Sequence, residues 1–129
     1  MSSRYNNIYN GSFATDGTIG QFTHTNREVS PWLKIYLGNS FEIDRVILYN
    51  RQDQMGERLH NVEITAGSDA SLFPFYCGGF IRASETAQTV QVVCKTSFSA
   101  GYIRIQIVGK AGEGNYLSLS EVEIFAFLN

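Results

Sequence analysis

Residues 101–110 read GYIRIQIVGK. In an extended chain Ile103, Ile105 and Ile107 fall on one side and Arg104 and Gln106 on the other, because strand side chains alternate. NVEITAGS at 61–68 repeats this, with Val62, Ile64 and Ala66 opposed to Glu63 and Thr65. PWLKIYLG at 31–38 places Leu33, Ile35 and Leu37 together. RVILYN at 45–50 and TVQVVCK at 89–95 are shorter continuous apolar runs, the form of strands covered on both sides. No window of eleven or more residues holds a 3.6-residue period. Clusters of Gly, Asn, Ser and Asp at 10–17, 38–40, 66–71, 78–79 and 109–115 break the runs. Strands at roughly ten-residue spacing with turn signals between them indicate an all-β sandwich or barrel.

The last strand carries an irregularity. Leu117 and Leu119 are odd-numbered, whereas Val122, Ile124 and Ala126 are even. An apolar set changes parity within a strand only through an extra residue, so a bulge or break is expected near Ser120-Glu121.

With 129 residues the chain is one domain's worth, long enough to bury a core of its own. No stretch of eighteen apolar residues offers a membrane span. MSSRYNNIYNGS at the start lacks the basic and apolar regions of a signal peptide. A net charge of −2, with three lysines and no basic stripe, argues against nucleic acid as a partner. Cys77 and Cys94 are too far apart for a CxxC redox motif, and the residues alone allow one disulfide or two buried thiols.

A catalytic set does not emerge. Neither His24 nor His60 neighbours a nucleophile motif, and no HExxH, zinc-spaced Cys/His cluster or glycine-rich phosphate cradle is present. The conspicuous polar stretch is NRQDQMGERLHN at 50–61, which follows an apolar run and sets Arg51, Asp53, Glu57 and Arg58 close together. An isolated surface ion pair contributes little. Two guanidiniums oriented by a carboxylate, joined by the imidazole of His24, form a different object: directional donors beside one donor or acceptor of fixed direction. Such a cluster suits the vicinal hydroxyls of a sugar better than a phosphate.

At this point the sequence resembles the F-type lectins (fucolectins). His24, 26 residues, then Arg51-x-Asp53-x4-Arg58 is similar to their fucose-binding signature. ATDG at 14–17, PWLKIYLG, RVILYNRQD and the ending LSLSEVEIFAF resemble further family stretches, from about residue 12 to the C-terminus. The resemblance implies a discoidin-like jelly roll of about eight antiparallel strands, a single domain over 1–129 with the first family strand missing, and a non-enzymatic lectin. His24, Arg51 and Arg58 would converge on the axial 4-hydroxyl and adjacent oxygens of α-L-fucose. Asp53 would hold the arginines, and Phe22 would wall the sugar's methyl group. Gln54 and Met55 stand where many members have adjacent cysteines, so the Met55 thioether would replace a disulfide platform. The segment between Asp16 and His24 is short for the family, which implies a trimmed loop beside the pocket.

The resemblance also implies a structural calcium ion held by Asp16 and Glu121 with carbonyls of Phe13, Thr18 and Ser120, hard oxygen donors that suit it. It implies a Cys77–Cys94 disulfide and an extracellular, particle or virion-surface location. Partners would be fucosylated glycans, with membranes reached only through surface glycans. Because a single sugar site is weak, a homo-oligomer or tandem display is expected. Two rival readings are an anionic-lipid or protein-docking module using SLFPFYCGGF at 71–80, and a galactose-directed module of a glycosidase.

Overall fold

The structure, a computed structural model, describes residues 1–5, 11, 15, 17 and 21–127. Among these, seven strands form: β1 (Thr23–His24), β2 (Trp32–Asn50), β3 (Val62–Gly67), β4 (Phe75–Phe80), β5 (Thr89–Val93), β6 (Ser99–Ile107) and β7 (Ser118–Ala126). One 3-10 turn, Gly56–Arg58, interrupts them. All strand pairings are antiparallel. Apart from that turn, the regular elements of the described residues are all β-strands, as the alternation implies.

Strand β2 organises the molecule. Its first part pairs with β6, from Trp32↔Gln106 to Tyr36↔Tyr102, and its second with β7 and β5. The sheet therefore folds into two halves that share β2: β5-β2-β7-β1, and β2-β6-β3-β4. Leu33, Ile64, Ile103 and Ile105 from one half meet Val46, Leu48, Val92 and Val122 from the other in one buried core. The alternation read from GYIRIQIVGK is the core face of β6, where Ile103, Ile105 and Ile107 are fully buried.

Three expectations need correction. The break at 38–40 lies inside β2, so PWLKIYLG and RVILYN form parts of one 19-residue strand. Gly38, with φ of 85°, and a register shift between Tyr36 and Phe41 absorb the bend there. Likewise Gly78 and Gly79 lie within β4. A Cβ on Gly79 would come within 2.2 Å of the Val62 carbonyl oxygen, so these glycines permit close strand approach and do not end the strand. Finally, TVQVVCK is not covered on both sides. β5 is an edge strand pairing only with β2, with Val92 buried and Val93 exposed.

Cys77 in β4 and Cys94 just after β5 form a disulfide, so the pairing implied by the resemblance is present. It ties the outer strands of the two halves, supported by the Lys95 N–H bonding to the Cys77 carbonyl at 2.9 Å. The bulge expected in the last strand is also present. Tyr49 opposes Glu121 and Asn50 opposes Leu119, which leaves Ser120 as the extra residue. Leu119 and Val122 are consequently both buried despite their opposite parity.

Candidate functional site

Trp32 adjoins the N-terminal segment, its carbonyl accepting the Ser2 N–H, while Asn50 at the other end of β2 leads into Arg51. Both ends of β2 thus lie at one pole, and its bend lies at the other. The polar loop 50–61 is fixed at the first pole by Asn50, which is almost wholly buried. The Asn50 Nδ2 donates to the carbonyls of Gly56 (2.8 Å) and Glu85 (3.0 Å), and its Oδ1 accepts the Arg51 N–H (2.9 Å). The Gly56 N–H donates to Thr86 Oγ1, and the Ala87 N–H to the Arg51 carbonyl. Gly56 has no room for a side chain, because a Cβ there would lie 2.2 Å from the Thr86 nitrogen. Met55, at φ of 59°, turns the chain into the 3-10 turn that presents Arg58.

Arg51 is buried at 5% exposure, an uncommon place for a guanidinium unless it is paired. Its Nε and Nη2 donate to the two carboxylate oxygens of Asp53 at 2.8 and 3.0 Å, and its plane lies 4.3 Å from the Phe22 ring centroid. These contacts fix the fork and leave the Nη1 side for a ligand. The Asp53 carboxyl is held down at about 2, mainly by the Arg51 hydrogen bonds. Asp53 therefore stays ionised under any physiological condition. Arg58 is oriented differently: its guanidinium lies 4.5 Å from the Tyr116 ring centroid, and it forms no salt bridge among the described residues.

His24 reaches the same place from β1, where its strand partner is Ser118. Its Nδ1 lies 2.7 Å from the Thr25 carbonyl, which can only accept, so Nδ1 carries the proton. In the neutral ring Nε2 is then an acceptor. Burial, aided by the charges of Arg51 and Arg58, pushes the His24 pKa below its ordinary value, against the opposing pull of the Thr25 carbonyl and Asp53. Neutral His24 therefore dominates at pH 7.

His24, Arg51, Gln54, Met55, Arg58, Tyr5 and Tyr116 line one cavity of about 270 Å³. That volume lies below the roughly 300–1,000 Å³ of drug-sized sites, so it suits one small ring. The structure brings together His24, Arg51 and Arg58, which lie up to 34 positions apart in sequence, with Asp53 behind Arg51 alone. Phe22 supports Arg51 from outside the lining. The walls are instead Tyr5 and Tyr116, with the His24 ring 4.7 Å from Tyr5 and 5.4 Å from Tyr116. Neither tyrosine was evident from sequence. They reach the site through long-range pairing: the Tyr5 N–H donates to the His24 carbonyl, and the Thr25 N–H to that of Leu117.

Of the residues implied for calcium, Phe13, Asp16 and Thr18 lie outside the described residues. Glu121 and Ser120 sit at the bulge, both buried. The Glu121 carboxylate accepts the N–H of Gly17 at 2.6 Å, and a cavity lined by Thr15, Gly17, Tyr49, Glu121, Val122 and Glu123 adjoins. Of the aromatics in the docking reading of 71–80, Phe73 has Lys34 and Arg104 over its ring and Phe75 stacks on Phe98, while Tyr76 stays exposed and Phe80 packs against the core.

The F5/8 type C domain model matches residues 1–122. The chain belongs to that family. It is 31% identical over 111 residues to Fucolectin-6 of Anguilla japonica, covering 84% of this chain and 56% of that protein. It is 26% identical over 122 residues to a Xenopus laevis pentraxin fusion protein, covering 92% of this chain and 28% of that one. The chain thus spans about a quarter to a half of these relatives' lengths. Among solved structures, the lectin domain of lectinolysin complexed with Lewis B antigen is 27% identical, with a TM-score of 0.83 over 98% of this chain and 90% of that one. A Streptococcus pneumoniae fucose binding module is 25% identical, with a TM-score of 0.79 over 98% of this chain and 91% of that one.

Proposed function

We propose that this F5/8 type C domain is a lectin that binds α-L-fucose at the ends of glycans, without chemical turnover, in the cavity of His24, Arg51 and Arg58. The observation that carries this reading is the joining of two donor-only guanidiniums to a neutral imidazole acceptor in one small cavity. A ligand in contact with all three meets charged donors and a ring nitrogen able to accept, a set that adjacent hydroxyls complement and a fully ionised phosphate, having no donor, does not. Tyr5, Tyr116 and Met55 supply apolar surface for the sugar's C–H groups and methyl. No carboxylate lines the cavity among the described residues, and the usual hydrolysis of a glycosidic bond needs two flanking it. The similar fucolectin and fucose binding module support the choice of sugar.

The geometry at the bulge fits the implied calcium ion. The buried Glu121 carboxylate, which accepts the N–H groups of Gly17 and Val122, would give the ion an anionic oxygen ligand, to which Asp16 and the carbonyls of Phe13, Thr18 and Ser120 would add theirs. Such an ion would brace the bulge by tying its ligands together. The Cys77–Cys94 disulfide suits an oxidising, extracellular or particle-surface setting. Multivalent display, by oligomers or tandem domains, would raise the avidity of a weak site.

The test is calorimetric titration of methyl α-L-fucoside into the protein and into His24→Ala. Saturable binding by the parent and none by a folded His24→Ala is the expected result. Equal affinity in both would refute the assignment.

A further inference from the structure

We infer that the pole opposite His24 and Arg51 holds a second binding site, for the ring of a neutral sugar, built on Tyr36 and Tyr102. This site goes beyond the fucose reading and does not depend on it.

Tyr36 and Tyr102 are cross-strand partners of β2 and β6, on the outward face opposite the core side chains of Leu33 and Ile105. Their rings stack with centroids 4.8 Å apart and planes 28° apart, yet Tyr36 remains 63% exposed. The inner ring holds the outer one in place, so a flat apolar surface is displayed with little rotamer freedom left to lose. Directly beyond the pair the β2–β6 register shifts and Gly38 bends the chain. The bend opens a cavity of about 320 Å³ beside the tyrosines, which also reaches Ser68 after β3. Gly101 forms part of its wall, and a Cβ there would make only ordinary contact with the Asn39 carbonyl, 3.5 Å away.

The lining identifies the ligand class. Besides the two tyrosines and glycines it consists of Asn39, Ser40 and Ser68, an amide and two hydroxyls, with no charged side chain. The Asn39 Oδ1 is taken by the Ser40 N–H, so its NH2 group is the end available as a donor. The neighbouring cross-strand pair on this face, Lys34 and Arg104, lies outside the lining. Lys34 donates to the Ala70 carbonyl at 2.8 Å and lies over Trp32, while Arg104 lies over Phe73. A ligand here needs one apolar face for a ring platform and a rim of hydroxyls for neutral donors and acceptors. A pyranose without a charged group has that form. Sites at both poles would make a single chain bivalent, able to bridge two glycans with no partner subunit.

The test uses Arg51→Ala, which silences the first site, in a 1H–15N NMR titration. The probes are methyl β-D-galactoside, methyl β-D-glucoside and, as a charged control, N-acetylneuraminic acid. Saturable shifts confined to residues 36–40, 68 and 101–102 are expected with at least one glycoside, with a Kd on the order of 1–10 mM. Tyr36→Ala, whose exposed side chain leaves the core untouched, should weaken this by about tenfold or more. The inference is overturned if neither glycoside gives saturable shifts there, if Tyr36→Ala retains them, or if the charged control binds as tightly. Loss of fucose binding at the first pole would leave these shifts unchanged, so the two proposals fail separately.

Discussion

Replacing Arg51 by Lys keeps the charge and removes only the fork, which makes it a sharp probe of the site. In the structure the Arg51 guanidinium spends Nε and Nη2 on Asp53 and has the Nη1 side left for the cavity. A lysine has a single nitrogen, which cannot pair with Asp53 and also reach the ligand. Loss of one charge-assisted hydrogen bond costs about 1.5–3 kcal/mol. At about 1.4 kcal/mol per decade, fucoside affinity should fall between roughly tenfold and a hundredfold. Folding should change much less. Asp53 is about half exposed, so water screens the ion pair and its contribution is at most about 1 kcal/mol. The assay pairs calorimetric titration of methyl α-L-fucoside with a thermal melt of the same sample. A folded Arg51→Lys variant whose affinity stays within about twofold of the parent would refute the fork's role.

Three further outcomes are expected. Fucoside affinity should hold through pH 7 and fall on acidification as His24 titrates below its ordinary value, because protonation removes the Nε2 acceptor and adds a third cation; Asp53, ionised down to about 2, cannot cause that loss. Affinity measured against pH, with His24→Gln expected to flatten the profile, checks this. In stability terms the signs agree: with its folded pKa lowered, His24 costs nothing above its unfolded value near 6.5 and destabilises as pH falls below it. Asp53, also lowered, contributes stability that is present above its usual 3.8 and is lost on acidification toward 2. Chelation should lower the melting temperature of the parent by mass action and leave that of Glu121→Gln unchanged, whereas a melt insensitive to chelator in the parent would remove calcium from the bulge. Gly56→Ala should abolish fucoside binding, since its methyl would meet the Thr86 nitrogen and force the 3-10 turn bearing Arg58 to move; retained affinity would show that the turn's position does not matter.

The strands were legible because their cause is local. A period of two in GYIRIQIVGK and NVEITAGS follows from burying one face, and the parity change at Ser120-Glu121 could be read as a bulge without any coordinates. Where the cause is distant, the reading failed. Gly38, Gly78 and Gly79 look like breakers, yet the last two remain in β4, Gly79 because β3 passes too close for a side chain and Gly78 because the Val92 side chain of β5 fills the space. The site divides in the same way. His24, Arg51 and Arg58 are marked by the spacing that resembles the family signature, while Tyr5 enters through a hydrogen bond to His24, 19 positions away, and Tyr116 through its neighbours Asn115 and Leu117, which bond to Glu28 and Thr25.

Asn50 shows why the polar loop is built as it is. A buried arginine can recognise a neutral sugar only if its cost is met before the ligand arrives, because a hydroxyl rim cannot neutralise a full positive charge. Asp53 supplies that charge, and Phe22 supplies a face for the guanidinium plane. Neither would hold Arg51 still if the backbone moved, and here the Asn50 side chain clamps Gly56, Glu85 and Arg51 together from inside the fold. Arg51, Met55 and Arg58 are then fixed to the end of β2 and are not free to sample loop conformations. For a ligand with few atoms to bury, that matters more than adding contacts, since each side chain ordered on binding costs about 0.5–1.5 kcal/mol. On the proposed reading, the charges crowded at the end of an apolar strand form a receptor whose ordering cost was met when the domain folded.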